Sequence, residues 1–357
     1  MRSRLPSLIA AALRGPPLDL KPLDRQVVVI TGASSGIGLL TARRAAERGA
    51  RVFLISRNRE ALSDIRDEIA AGGGEVAFEA ADVGDSAALA AAAEAAVRAF
   101  GGIDSWVNCA GTAIYARLSE TPIDEHERLF RTNYFGVVNG ATAALPYLRA
   151  RGGALLTVGS IASDLPSPIL GAYAASKHAV AGYINSLRME LNAENAPISV
   201  TLIKPSGIDT PIAQHAASHS EGEPQVPPPA YDPALVADAI LSAVERPRRE
   251  ILVGGAGAVQ VMLGAHFPGI LARLGGIIAP FLVNRDRAVE REGNLFAPSE
   301  AGRTRSGDER ARRTSLYTAL QTRSAARIAL GGVMAGAGLF ALRAMRRRPA
   351  GNNQRKR

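Results

Sequence analysis

The sequence predicts an α/β protein built on a doubly wound parallel sheet, and three observations carry that prediction. Short apolar runs alternate with helical segments from residue 26 onward. Those runs are continuously apolar, which marks strands covered on both faces by helices. A glycine-rich turn joins the first run to the first helix, where parallel sheets bind phosphate.

The elements follow in order. Residues 26–30 read as a buried strand, and residues 37–48 have helical spacing that Gly49 stops. Residues 51–55 form a second strand, 60–70 a second helix and 75–80 a third strand. An alanine-rich helix at 86–100 leads to a fourth strand at 103–107 and a long helix at 123–149. A strand at 154–158, a helix at 172–192 and a strand at 198–203 complete the alternation. This strict strand–helix order is that of a Rossmann-type sheet with right-handed crossovers.

After Pro211 the pattern weakens. Residues 212–231, rich in Pro, Ser and His, read as a loop or substrate lid. Residues 233–245 read as a helix capped by Asp232 with Pro233 at its first position, and 251–253 as a last short strand. One catalytic domain, 26–255, is therefore expected. Residues 259–283 are almost wholly apolar, interrupted by Pro268, Arg273 and Pro280, and 284–324 read as a charged linker. The lead, 1–25, resembles a surface amphipathic segment more than a cleaved signal, because Pro6 interrupts its short apolar stretch.

Residues 325–342 are apolar apart from Arg327, with Arg343 and Arg346, Arg347 and Arg348 beyond. The uncharged core, 328–342, would be about 22 Å long as a helix against a hydrocarbon thickness of about 30 Å. It could span only with Arg327 and Arg343 snorkelling to opposite faces. Two readings stand: a membrane-anchoring helix with a basic tail, or an apolar helix that forms oligomers.

The chain has 357 residues and a net charge of +9. Residues 285–357 hold 17 Arg and Lys against 6 acids, net +11, whereas 1–284 hold 25 against 27, net −2. The basicity belongs to the tail, either solvated or drawn to anionic lipid, and no aromatic interleaving points to nucleic acid. A single cysteine, Cys109, excludes an internal disulfide framework and fits a reducing, cytoplasmic setting.

Of 42 basic residues only four are Lys: Lys21, Lys177, Lys204 and Lys356. Lys177 stands one helical turn after Tyr173, so the two side chains share a helix face. An ammonium there can lower a phenol's pKa and join a proton relay, which Arg cannot do. The turn Thr31-Gly32-Ala33-Ser34-Ser35-Gly36-Ile37-Gly38 between first strand and first helix marks a nucleotide site.

Together these motifs make the chain resemble the classical short-chain dehydrogenase/reductase family over residues 25–255. Thr31 to Gly38 is similar to its Thr-Gly-xxx-Gly-x-Gly turn, and Asp82-Val83 to the pair that contacts adenine. Asn108-Cys109-Ala110-Gly111 is similar to its Asn-Asn-Ala-Gly, with Cys109 for the second Asn. Asn133 and Ser160 match the helix asparagine and the catalytic serine. Pro205-Ser206-Gly207-Ile208-Asp209-Thr210 matches the segment beside the nicotinamide, with Ser206 where Gly is usual.

The resemblance implies hydride transfer between a nicotinamide and an alcohol or carbonyl. Tyr173 would act as general acid/base, Lys177 would lower its pKa and hold the ribose, Ser160 would orient the substrate and Asn133 would keep the relay to solvent. The cofactor would lie on Gly32, Ser34, Ser35, Gly36, Ile37, Gly38, Asp82, Val83, Asn108, Ala110, Gly111, Tyr173, Lys177, Pro205, Ile208 and Thr210. The second strand ends in Ser56-Arg57-Asn58-Arg59 without an acid, so Arg57 favours the 2′-phosphate of NADP(H) over NAD(H).

The resemblance also implies a dimer or tetramer. The apolar stretches point to a lipophilic carbonyl substrate near a membrane, and a catalytically idle membrane-recruited scaffold is the rival reading. His215 and His219 lack a third metal ligand nearby, so no metal is expected.

Overall fold

The structure, a computed structural model, describes residues 18–287, 291–298, 301–307 and 311–322. The sheet comprises β1 (Val27–Thr31), β2 (Arg51–Ser56), β3 (Val76–Ala80), β4 (Ser105–Asn108), β5 (Gly153–Val158), β6 (Ile198–Pro205) and β7 (Glu250–Val253). All seven run parallel in the order β7-β6-β5-β4-β1-β2-β3. Strand order therefore reverses at β1, which pairs with β2 on one side and β4 on the other.

The helices are α1 (Gly36–Glu47), α2 (Arg59–Ala71), α3 (Ser86–Phe100), α4 (Ile123–Phe130), α5 (Gly136–Arg151), α6 (Gly171–Ala193), α7 (Pro233–Glu245), α8 (Gly255–His266), α9 (Pro268–Arg273) and α10 (Leu316–Thr322). Side chains of β1 divide between two cores, as the two-residue period of a strand requires. Val28 and Ile30 join α1, α2 and α7 in one core, and Val29 joins α3, α5 and α6 in the other. Helix starts are set by side-chain caps: Asn58 accepts from Ala61 N, Asp85 from Ala87 N and Ala88 N, and Asp232 from Ala234 N.

Three regions depart from the sequence reading. Residues 123–149 are not one helix, because a π-turn at Arg131–Phe135 separates α4 from α5. The wider turn lets Asn133 bond inward to Thr112 and Ser176. Residues 212–231 contain a short helix, Ile212–His215, and two short strands, Ala217–Ser218 and Glu223–Pro224. These strands pair with Ile114–Tyr115 and Val283–Asn284.

The third departure is the expected linker, much of which packs on the domain. Edge strand β7 donates Leu252 N–H to Gln321 Oε1, and the residue after it, Gly254, donates its N–H to Thr318 Oγ1, each at 3.0 Å. α10 thereby occupies an edge that would otherwise offer free backbone donors. The linker reading failed because these contacts use backbone groups and short polar side chains, which leave no hydrophobic period. Residues 325–342 lie outside the described residues, and among those described no helix is long and apolar enough to cross a membrane.

α5 approaches β4 closely at Gly140. A Cβ there would fall 2.1 Å from Asn108 Oδ1 and 2.9 Å from Trp106 Nε1. Gly140→Ala is therefore expected to lower stability by about 1–3 kcal/mol, despite its better helix propensity, in urea denaturation.

Candidate active site

A cavity of about 440 Å³ lies beyond the carboxyl ends of the strands, at the point where their order reverses. Gly32 has φ +68°, and a Cβ on it would fall 2.8 Å from Ala110 N. A Cβ on Gly38 would fall 2.2 Å from Gly32 O, so only glycine lets α1 begin this close to β1. Thr31 Oγ1 closes the floor by accepting from Cys109 N at 3.0 Å and Ala110 N at 3.2 Å. Ser34, Ser35, Gly36 and Ile37 line the cavity at the α1 N-terminus, whose dipole favours an anion.

Ser160, Tyr173 and Lys177 line the same cavity. Ser160 caps a short turn, its Oγ accepting from Ala162 N at 3.1 Å, and hydrogen-bonds to the Tyr173 side chain. Lys177 is buried, donates from Nζ to Val158 O at 3.0 Å, and stands 5.7 Å from the Tyr173 ring centroid. Burial lowers the Lys177 pKa to about 8, against a smaller opposing effect of Cys109. Burial also raises the Tyr173 phenol, and the Ser160 hydrogen bond opposes this. The net direction is upward, because desolvation of the phenolate dominates.

Asn133 is fully buried. Its Oδ1 accepts from Thr112 N at 2.9 Å, and its Nδ2 donates to Thr112 O and Ser176 Oγ, each at 3.0 Å. A Cβ on Gly111 would fall 3.5 Å from Asn133 Oδ1 and 3.8 Å from Lys177 Nζ, which puts that glycine between the two. Asn133 does not itself line the cavity, and neither does Asn108. Asn108 was expected among the cofactor contacts, yet its side chain is spent inside the core on Trp106 Nε1 and Thr157 Oγ1.

Val83, Ala110, Gly111, Pro205, Ile208 and Thr210 line the cavity, as does Asp82. Burial alone would raise the Asp82 carboxyl, but Arg128 at 2.5 Å and the Gly84 N–H at 2.8 Å hold it below the ordinary range. Ser206 fits where Gly is usual because Gly254 and Gly257 face it: a Cβ on either would meet its side chain. Cys109, whose thiol burial pushes up to about 12, stays protonated and unreactive.

Arg57 lines the cavity at the end of β2, but its guanidinium is held by the C-terminal segment, donating to the carbonyls of Asn294, Leu295 and Ala297 at 2.6, 3.1 and 3.3 Å. Burial lowers its pKa, countered by Asp82 and reinforced by Arg128. Asn294 and Pro298 line the cavity too, with Asn294 Oδ1 accepting from Thr112 Oγ1 at 2.5 Å. Sequence reasoning missed these residues, and Arg128, because nothing local in a charged, unpatterned stretch or on an exposed-looking helix marks them.

A nucleotide fits this cavity on two observations. The glycine cradle leaves room that any Cβ would fill, and the buried Ser56 Oγ lines the cavity without a hydrogen-bond partner.

The sequence profile of the short chain dehydrogenase family matches residues 26–221. The chain belongs to the short-chain dehydrogenase/reductase family. It is accordingly an oxidoreductase acting on CH–OH groups with a nicotinamide dinucleotide.

Over 260 residues the chain is 44% identical to the uncharacterized oxidoreductase YxnA of Bacillus subtilis, covering 72% of this chain and 73% of that protein. It is 34% identical over 263 residues to dehydrogenase/reductase SDR family member 7B of Bos taurus, covering 70% and 79%. Among solved structures it superposes on a short-chain dehydrogenase/reductase from Burkholderia phymatum in complex with NAD, with TM-score 0.63, 26% identity and coverage of 70% and 96%. An alcohol dehydrogenase from Thermococcus sibiricus complexed with 5-hydroxy-NADP gives TM-score 0.57, 26% identity and coverage of 64% and 95%.

The burial of Lys177 in this short-chain dehydrogenase/reductase carries a stability signature. Its folded pKa of about 8 lies below the ordinary value of 10.5. Between them the unfolded chain binds the extra proton, so this group's contribution to stability rises as pH climbs from about 8 to about 10.4. The stability difference between wild type and Lys177→Met, measured by denaturant unfolding across that range, should shift in favour of wild type with rising pH.

Proposed function

We infer that this protein is an NADP(H)-dependent oxidoreductase that interconverts a lipophilic alcohol and its ketone or aldehyde. The observation that carries the reading is the convergence of Ser160, Tyr173 and Lys177 on the cavity that the glycine-rich turn also lines. When bound, the dinucleotide supplies or accepts the hydride. Tyr173 remains protonated near neutral pH and gives its proton to the carbonyl oxygen during reduction, reversing the transfer during oxidation. The Ser160 hydroxyl orients that oxygen, and the Lys177 ammonium holds the ribose and stabilises charge on the phenol oxygen. Asn133, beside Gly111, maintains the route by which the proton is replaced.

The preference for NADP(H) rests on Arg57 at the end of β2, where no carboxylate is available for ribose hydroxyls. The lipophilic substrate rests on the cavity's apolar wall of Leu165, Leu170, Ile212, Leu271, Ile278 and Leu282. Beside it, residues 255–282 expose Met262, Phe267, Ile270 and Ile277 and contain no acid, a composition matched to a lipid surface from which such a substrate enters. Attachment through this face and the basic tail would keep the enzyme on the cytoplasmic side of a membrane.

Tyr173→Phe should reduce kcat/KM for carbonyl reduction by about 10²–10⁴-fold. Turnover unaffected by this change would end the Tyr173 mechanism, and tight NADPH binding without turnover on any carbonyl would favour an idle scaffold. Arg57→Ala should weaken NADPH binding by about tenfold or more with little change for NADH, as fluorescence titration would reveal.

A further inference from the structure

The stretch 291–298 lines the cavity through Asn294 and Pro298, and the stretch 301–307 packs on the glycine-rich turn. Arg57 is satisfied by three main-chain carbonyls, those of Asn294, Leu295 and Ala297. Arg128 Nε donates to Leu295 O at 2.7 Å, and the Leu295 side chain is fully buried beside Ile114, Leu129 and Ala172. Further on, Gly302 N donates to Ser34 O at 2.9 Å, and Gly36 N donates to Arg303 O at 2.8 Å. The stretch thus bonds to the glycine-rich turn itself. Its end is tied down where Ser306 donates to the buried Asp209.

We propose that these two stretches form a strap that competes with the cofactor's 2′-phosphate for Arg57 and so sets the enzyme's discrimination between NADP(H) and NAD(H). This rests on the NADP(H) reading above. The physical argument is one of charge. A half-buried guanidinium without acceptors is costly, and the three carbonyls meet that need with neutral dipoles. A phosphate dianion makes stronger, charge-assisted bonds to the same donors and would displace them. The 2′-hydroxyl of NAD(H) brings no charge to make that exchange favourable. The hold of residues 294–297 on Arg57 therefore opposes NADP(H) in particular, whereas Arg303 O on the Gly36 N–H stands equally against either dinucleotide. Cofactor preference is the balance between Arg57's attraction for phosphate and that hold.

The test uses the full chain with NADPH, NADH, 2′,5′-ADP and 5′-AMP as probes. Releasing Leu295 by Leu295→Asp, or by the milder Leu295→Ala, should tighten NADPH and 2′,5′-ADP binding by about tenfold, the scale of losing two or three competing hydrogen bonds. NADH and 5′-AMP should change by no more than about twofold, and Arg57→Ala should abolish the difference.

In wild-type protein, hydrogen exchange in residues 301–307 should speed up on addition of 2′,5′-ADP but not of 5′-AMP, which needs no variant to fold. Equal effects on both nucleotides, slower exchange with 2′,5′-ADP, or weaker NADPH binding on releasing Leu295 would each overturn the competition and make the strap a clamp or a bystander. If neither dinucleotide bound any form, the parent reading would fail instead, a result distinct from binding with an indifferent strap.

Discussion

The structure depends on the reversal of strand order at β1. Because β1 pairs with β2 on one side and β4 on the other, successive crossover helices leave toward opposite faces and a crevice opens beyond the strand ends. Glycine is required at the point where the chain turns out of β1, since the backbone after β4 lies within contact of Gly32. The hydroxyl of Thr31 binds that backbone, so the two walls of the crevice are held together by one side chain. The glycine cradle and the cavity-lining Ser160, Tyr173 and Lys177 are positioned relative to this junction.

Desolvation governs the electrostatics of the site. It pushes the Tyr173 phenol up and the Lys177 ammonium down, which disfavours charge on both groups. Hydrogen bonds from Ser160 and to Val158 are the local compensation. Both groups remain biased toward their neutral forms. The same rule governs Arg57, which satisfies its donors on main-chain carbonyls.

Much of this was legible in sequence because it is local. Continuous Val and Ile runs, the glycine turn, the Asp232 cap and the Tyr173 to Lys177 spacing each express a rule that acts over a few residues. The site's other members follow from the parallel order, which brings the ends of β1, β2, β4, β5 and β6 to one cavity. Asn108 escaped this logic: at the end of a strand the register decides which way a side chain points, and here it points into the core.

By itself the sequence determined the sheet and most of its helices, and it singled out Ser160, Tyr173 and Lys177, since periodicity, caps and spacing act along the chain. The tertiary structure alone decided the π-turn that aims Asn133, the room that Gly254 and Gly257 leave for Ser206, and the docking of residues 291–298 and 301–307 beside Arg57 and the glycine-rich turn. Those features join backbone groups far apart in the chain, and backbone hydrogen bonds carry no residue-type signature. A segment that reads as solvated linker can therefore hold the guanidinium of Arg57 at the end of β2.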